Sequence, residues 1–272
     1  MDNPHILGTE RIGKLLVQYS IPAIISMTIV SLYNIIDSIF IGHGVGPMAI
    51  AGLAITFPLM NLTAAFCNLV SAGGSTISSI KLGQQDLKGV NKVLGNTLML
   101  CLINSVVFGG LTFLFLDPIL RFFGASAETL PYARDFMQVI LLGTPITFTM
   151  IGLNHVMRAT GHPKKAMLTS LTTVVCNIIL APLFIFQFDW GIRGAALATI
   201  ISQFFGTLWV LNHFLQSSNP IRLQRGFYRM QRRIVGSIFS IGMSPFLMNV
   251  TACAIVILIN NGLQRHGGDM AI

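Results

Sequence analysis

Long apolar runs separated by short polar gaps dominate this chain. Seven of them have about twenty residues or more, enough for a helix to cross a hydrocarbon layer roughly 30 Å thick. They occupy 15–41, 50–80, 93–116, 132–157, 166–188, 194–215 and 235–262. The second ends in a stretch of small polar residues, 71–79, so its membrane part is shorter than the run. A β-barrel strand would alternate in polarity over about ten residues, and these runs do not alternate. The predicted fold class is therefore all-α, a polytopic transmembrane helical bundle. Pro22, Pro58, Pro145, Pro182 and Pro245 fall within or at the ends of the runs, where a missing N–H bends a helix.

Charge sharpens the membrane assignment. Only 10% of the 272 residues are charged, against about 25% in soluble domains. The 17 Lys and Arg sit mainly in the gaps. With the N-terminus placed in the cytoplasm, Arg11, Lys14, Lys81, Lys88, Lys92, Arg158, Lys164, Lys165, Arg222, Arg225, Arg229, Arg232 and Arg233 all lie inside. Arg121, Arg134, Arg193 and Arg265 lie outside, a split of 13 to 4 that follows the positive-inside rule. The net charge of +8 thus marks topology and headgroup contact, and nucleic acid is not expected as a partner. Segment 216–233 is the longest basic connector, has no acid, and is expected to lie on the lipid surface as an amphipathic helix.

An internal repeat sets the domain organisation. Ser20-Ile21-Pro22 recurs as Met243-Ser244-Pro245, and Thr28 as Thr251, each 223 residues on. Gly46-Pro47-Met48-Ala49-Ile50 recurs as Gly268-Asp269-Met270-Ala271-Ile272 after 222. Six helices separate the copies, so the repeat is expected to be parallel, about an axis along the membrane normal. The expected domains are a six-helix first lobe at 1–215, a basic cytoplasmic connector at 216–234, and the first helix of a cut-off second lobe at 235–272. About five further helices, the C-terminal lobe, are expected as a partner from the same chain.

Candidate chemistry is sparse. Of nine acids, only Asp37 sits well within an apolar run. Intramembrane ionisable groups are costly and usually functional. Tyr33 and Asn34 precede Asp37 by four and three residues and share its helical face. Such a carboxylate can exchange a proton or bind Na⁺ with neighbouring oxygens. Asn61, Asn68, Asn104, Gln138, Asn154, Asn177, Thr199 and Gln203 are single polar groups, each more often glue between helices than a ligand. His155 is expected to be solvated near a helix end, beside Arg158. Cys67, Cys101, Cys176 and Cys253 read as buried small hydrophobes. No catalytic residue, metal site or cofactor is indicated, and no Walker loop or zincin motif occurs, so an enzyme is not expected.

Together these residues resemble the multidrug and toxic compound extrusion (MATE) family. The resemblance is carried by Pro22, Leu32-Tyr33-Asn34-Ile35-Ile36-Asp37, Ile41-Gly42-His43-Gly44 and Ala49-Ile50-Ala51-Gly52-Leu53. Gly83-Gln84-Gln85-Asp86, Arg158-Ala159-Thr160-Gly161 with Pro163, Asn177-Ile178-Ile179-Leu180 with Pro182, and the segment 191–199 complete it. It implies a twelve-helix antiporter of two lobes in the inner membrane, exchanging H⁺ or Na⁺ for organic, often cationic, compounds. It further implies a coupling-ion site of Asp37, Asn177 and Thr199, to which Asn34 adds an oxygen from its shared face. Tyr33, Gln203 and Gln138 are candidates for substrate contact or for support around that site. Many members carry a second Asp four residues after the fifth-helix Asn, and this chain has Ala181 there. Other expectations weighed were a lipid-linked oligosaccharide flippase, an intramembrane enzyme and a non-transporting scaffold.

Overall fold

The computed structural model describes residues 12–267 apart from 218, 225, 227 and 228, and excludes the side chains of Asn34 and 260–267. Its helices are α1 (Ile12–Gly44), α2 (Pro47–Gly83), α3 (Leu87–Leu114), the short α4 (Leu116–Phe122), α5 (Leu130–Leu142), α6 (Thr144–Ala159), α7 (Pro163–Pro182), α8 (Gly191–Leu215) and α9 (Arg232–Gly267). A π-helical turn, Leu183–Gln187, extends α7 beyond Pro182. No strand occurs among the described residues. Among the described residues six helices are long and apolar enough to cross a membrane, and α5 with α6, bent where they join, meets the same length and composition as a pair. All-α and polytopic is therefore the observed architecture.

Helix ends follow the local chemistry. Gly46, at φ +113°, makes the turn into α2, and Pro47 opens that helix where no N–H is needed. Asp86 caps α3 by accepting from Gly89 N at 2.8 Å and lies 3.3 Å from Lys81 Nζ. The Gly89 hydrogen bond, with help from Lys81, holds the Asp86 carboxyl below the usual carboxylate range.

The fourth span, expected as one helix, is broken by 57° between α5 and α6. Pro145 offers no N–H to the Leu141 carbonyl four residues back. Thr144 supplies the lost donor, its Oγ1 bonding Leu141 O at 2.7 Å. Within a membrane an unpaired carbonyl costs several kcal/mol, so this hydroxyl makes the bend tolerable.

Helix α2 is the central pillar, packed against α3, α5, α6 and α9. Its contact with α9 is the largest between any two helices and runs antiparallel in a constant register. Ile238 meets Gly73, Gly242 meets Leu69, and Cys253 Sγ donates to Pro58 O at 3.2 Å. Steps of four and then eleven residues on one helix match four and eleven on the other. These are whole turns, so one stripe faces the partner throughout. A Cβ on Gly73 would overlap the Ile238 carbonyl, and one on Gly242 the Leu69 carbonyl. Glycine is thus required on both sides of this backbone-to-backbone approach.

Two expectations are corrected. The connector is not an amphipathic helix: none of its described residues from 216 to 231 is helical. Pro220 and Gly226, at φ +95°, interrupt it, and its backbone bonds instead to groups of the bundle, as when Leu223 N donates to Phe214 O at 2.9 Å. Ile221 is buried in a small core with Val90, Leu94, Leu153 and Phe214. His155 is half-buried rather than solvated, because it lies in α6 between turns that pack into that core. Three cysteines are buried and Cys176 is half-buried; all four are free.

The residues four beyond Pro22 and Pro245 both bond back to the proline carbonyl, as many side chains in these helices do to the carbonyl four residues back. Ser26 Oγ donates to Pro22 O at 2.7 Å in α1, and Asn249 Nδ2 donates to Pro245 O at 2.8 Å in α9. The expected counterpart at 268–272 and the side chain of Arg265 lie outside the described residues.

Gly242→Val should destabilise the α2–α9 contact by about 1–3 kcal/mol through overpacking. Gly236→Val, where a Cβ meets nothing within 4 Å, should be neutral in the same thermal melts in detergent. Equal midpoints for the two variants would refute the close approach.

Candidate functional site

The site grows from the C-terminal half of α1. Helical spacing puts Tyr33 and Asp37 one turn apart on one face. This stretch of α1 also carries Leu32, Ile35 and Ile39, which are exposed. It borders a cavity of about 690 Å³ between α1, α2, α5 and α8. Ile35 and Ile39 of α1, Ile50, Leu53, Phe57 and Met60 of α2, and Phe136 and Ile140 of α5 form its apolar wall. Tyr33, Asp37, Ser38, His43 and Thr199 are its polar lining.

Asp37 is 9% exposed, and its Oδ1 is buried without a hydrogen-bond partner among the described residues. The acids with ion pairs lie at helix ends: Asp86 with Lys81, Asp117 with Arg134 and Asp135 with Arg193. No Lys or Arg is among the described residues that line the cavity. A buried carboxylate oxygen without a partner is costly, so Asp37 is the candidate binding group of the cavity.

Behind the cavity, three helices are joined by one polar cluster. Tyr33 OH and Thr199 Oγ1 are 3.1 Å apart, and Asn177 Nδ2 donates to Thr199 Oγ1 at 3.1 Å and to Tyr33 OH at 3.5 Å. Thr199 also back-bonds to Ala195 O at 3.1 Å. The cluster ties α1 to α7 and α8, and it fixes the Tyr33 face one turn from Asp37. Asn177 is 3% exposed and does not line the cavity; Thr199 and Tyr33 stand in front of it.

The sequence-predicted residues therefore divide. Asp37, Thr199 and Tyr33 share the cavity, and Asn177 buttresses two of them. The side chain of Asn34 lies outside the described residues. Gln203, one turn beyond Thr199 on the same face of α8, does not line the cavity: Thr147 Oγ1 of α6 donates to its Oε1. Gln138 sits between Phe136 and Ile140 in sequence, roughly 200° around α5 from each, and so points away from the wall they form. Ala181, where a second carboxylate was expected of the family, is fully buried in the apolar core. Ser38, His43 and the Leu53, Phe57, Met60 stripe are additions that the sequence reading did not single out. The stripe has a signal, its four- and three-residue spacing around Pro58.

Comparison with known proteins agrees with this geometry. A sequence profile of the MatE family matches residues 22–183. The multidrug export protein MepA of Staphylococcus haemolyticus is 29% identical over 256 residues, covering 94% of this chain and 57% of that protein. The MATE multidrug transporter DinF-BH, solved as a ligand complex, superposes with a TM-score of 0.91 at 36% identity, covering 97% of this chain and 59% of the other. An outward-facing multidrug resistance MATE transporter of the MOP superfamily gives 0.90 at 26% identity, over 99% of this chain and 59% of the other. The chain thus spans a little under three fifths of the length of these relatives. With most of its length matched by the family profile and nearly all of it superposed on transporters of that family, this multi-pass membrane chain belongs to the MATE (MatE) family of transporters.

Proposed function

We propose that this chain supplies the first lobe and seventh helix of a cation-coupled antiporter that exports drugs or related organic compounds from the cell. The single observation that carries this is Asp37 Oδ1, buried and partnerless among the described residues beside a largely apolar cavity. A cationic, apolar molecule would satisfy both the wall and the charge. The named relatives, a multidrug exporter and a multidrug transporter solved as a ligand complex, support export of organic compounds. The coupling ion and the substrate then compete for one carboxylate. The site suits a proton better than Na⁺: a hard cation needs several oxygens, Ala181 adds none, and the Thr199 and Tyr33 hydroxyls already bond to each other.

The topology proposed places the basic connector in the cytoplasm and the Asp37 cavity toward the outside of the plasma membrane. Binding an outside proton discharges Asp37 and releases the substrate. Losing it to the inside restores the charge that recruits the next one. Each step changes what the α1–α7–α8 cluster must satisfy, and so biases the lobes between two arrangements. A carrier of lipid diphosphates would need Lys or Arg at the cavity, and none is among its described lining residues.

Asp37→Asn in the reconstituted full-length transporter should abolish export of tetraphenylphosphonium driven by a proton gradient, while leaving the melting profile intact. Undiminished proton-driven export would overturn the coupling role. Thr199→Val should leave Asn177 and Tyr33 short of a partner and cost about 1–3 kcal/mol of stability in thermal melts, recovered by Thr199→Ser. A neutral Thr199→Val would show that the cluster does not hold α1 in place.

A further inference from the structure

The basic connector, which forms no helix, is bound to the bundle in an unusual way. Asn91 and Asn96 of α3 are buried, at 4% and 0% exposure. Asn91 Nδ2 donates to Pro220 O at 3.3 Å, and Arg222 N donates to Asn91 Oδ1 at 2.9 Å. Asn96 repeats the pattern: Nδ2 donates to Arg229 O at 3.3 Å, and Gln231 N donates to Oδ1 at 2.9 Å. Each side-chain amide takes the carbonyl of one residue and the N–H of the residue two further on. In extended chain these two groups point to the same side. A carboxamide carries the same donor and acceptor as a peptide group, so each Asn acts as one residue of a neighbouring strand. Two such clasps hold the connector near its start and its end.

The second clasp runs directly into α9. Gln231, whose N–H bonds Asn96, offers its carbonyl to Val235 N at 2.9 Å, the first turn of that helix. Ile238 and Gly242 then lie backbone-to-backbone on Gly73 and Leu69 of α2. Three residues later Pro245 leaves the Ile241 carbonyl without its helical donor. Beyond that point contact with α2 is by side chains, Phe246 against Phe66 with ring centres 5.2 Å apart and Cys253 on Pro58 O. Leu247, Met248 and Leu258 are exposed.

We infer that Asn91 and Asn96 are positioning residues that fasten the connector and the first turns of α9 to the six-helix unit, so that the hinge for lobe movement lies inside α9 at Met243–Pro245 and not in the connector. The fastening stands on the geometry alone. Its use as the fixed end of a rocking motion rests on the antiporter reading above.

Residue-resolved amide exchange of the 272-residue chain in nanodiscs tests the fastening without any transport. Asn91→Leu should speed exchange at Arg222 about tenfold and leave Gln231 unchanged, and Asn96→Leu should do the reverse. Asn91→Asp keeps the acceptor and loses the donor, so Arg222 should stay slow. Exchange within α7 reports whether each variant is folded. Fast exchange at Arg222 and Gln231 in the unsubstituted chain would overturn the clasps, as would a variant that loosens both sites equally. For the hinge, spin labels at Lys88 and Arg233 should give one narrow distance, and labels at Lys88 and Leu258 a broad one that Pro245→Ala narrows. These labels are placed with the native cysteines replaced by serine. Equal widths for the two pairs would overturn the hinge assignment and leave the antiporter reading untouched.

Discussion

A lipid interior offers no water to pair a polar group, and that constraint organises this structure more than any single contact. Where a proline removes a backbone donor at the break between α5 and α6, Thr144 supplies one within 2.7 Å. Where α2 and α9 approach too closely for side chains, two glycines allow it. Where the connector forms no helix, two buried asparagines take up its peptide groups. The hydroxyls of Ser78, Thr97 and Thr149 are also buried without a partner among the described residues, but Asp37 Oδ1 is the one carboxylate oxygen in that state. Under the proposed function, that oxygen is where the coupling ion and the substrate would bind in turn.

The cavity shows how the constraint becomes function. Its apolar wall from α1, α2 and α5 gives no direction to a ligand, and its described polar lining is confined to α1, with Thr199 from α8. Tyr33, Asn177 and Thr199 satisfy one another, so they are already spoken for and hold the frame. Asp37 is the one acid in that described lining. Under the proposed function, charge selection and proton exchange would fall on a single carboxylate, while the wall would accept varied shapes. That division is what a polyspecific exporter needs.

Much of this is legible in the sequence. Seven apolar runs mark the spans because run length against bilayer thickness is a one-dimensional question, and Asp37 stands out because a charge inside such a run is rare. Residues whose partner is distant in the chain are harder to place. Asn177 and Thr199 enter through family resemblance, since nothing local shows that both will meet Tyr33, 144 and 166 residues away. The connector misleads because basic charge without acids suggests a surface helix, whereas its conformation is decided by Asn91 and Asn96 on another helix. Gln203 and Gln138 attract notice for polarity alone; Gln203 shares the face of Thr199 but, one turn further along α8, accepts from Thr147, while the helical phase of Gln138 turns it away from the Phe136–Ile140 wall.

If one carboxylate serves ion and substrate in turn, each molecule that binds must expel the proton that Asp37 holds. Titrating tetraphenylphosphonium into the reconstituted protein in weakly buffered medium, with a pH indicator and radioactive sodium present, measures that exchange directly. Release of about one proton for each molecule bound is predicted, with no sodium release and no proton release from Asp37→Asn. Saturable binding of the same affinity that releases no proton would contradict a shared carboxylate.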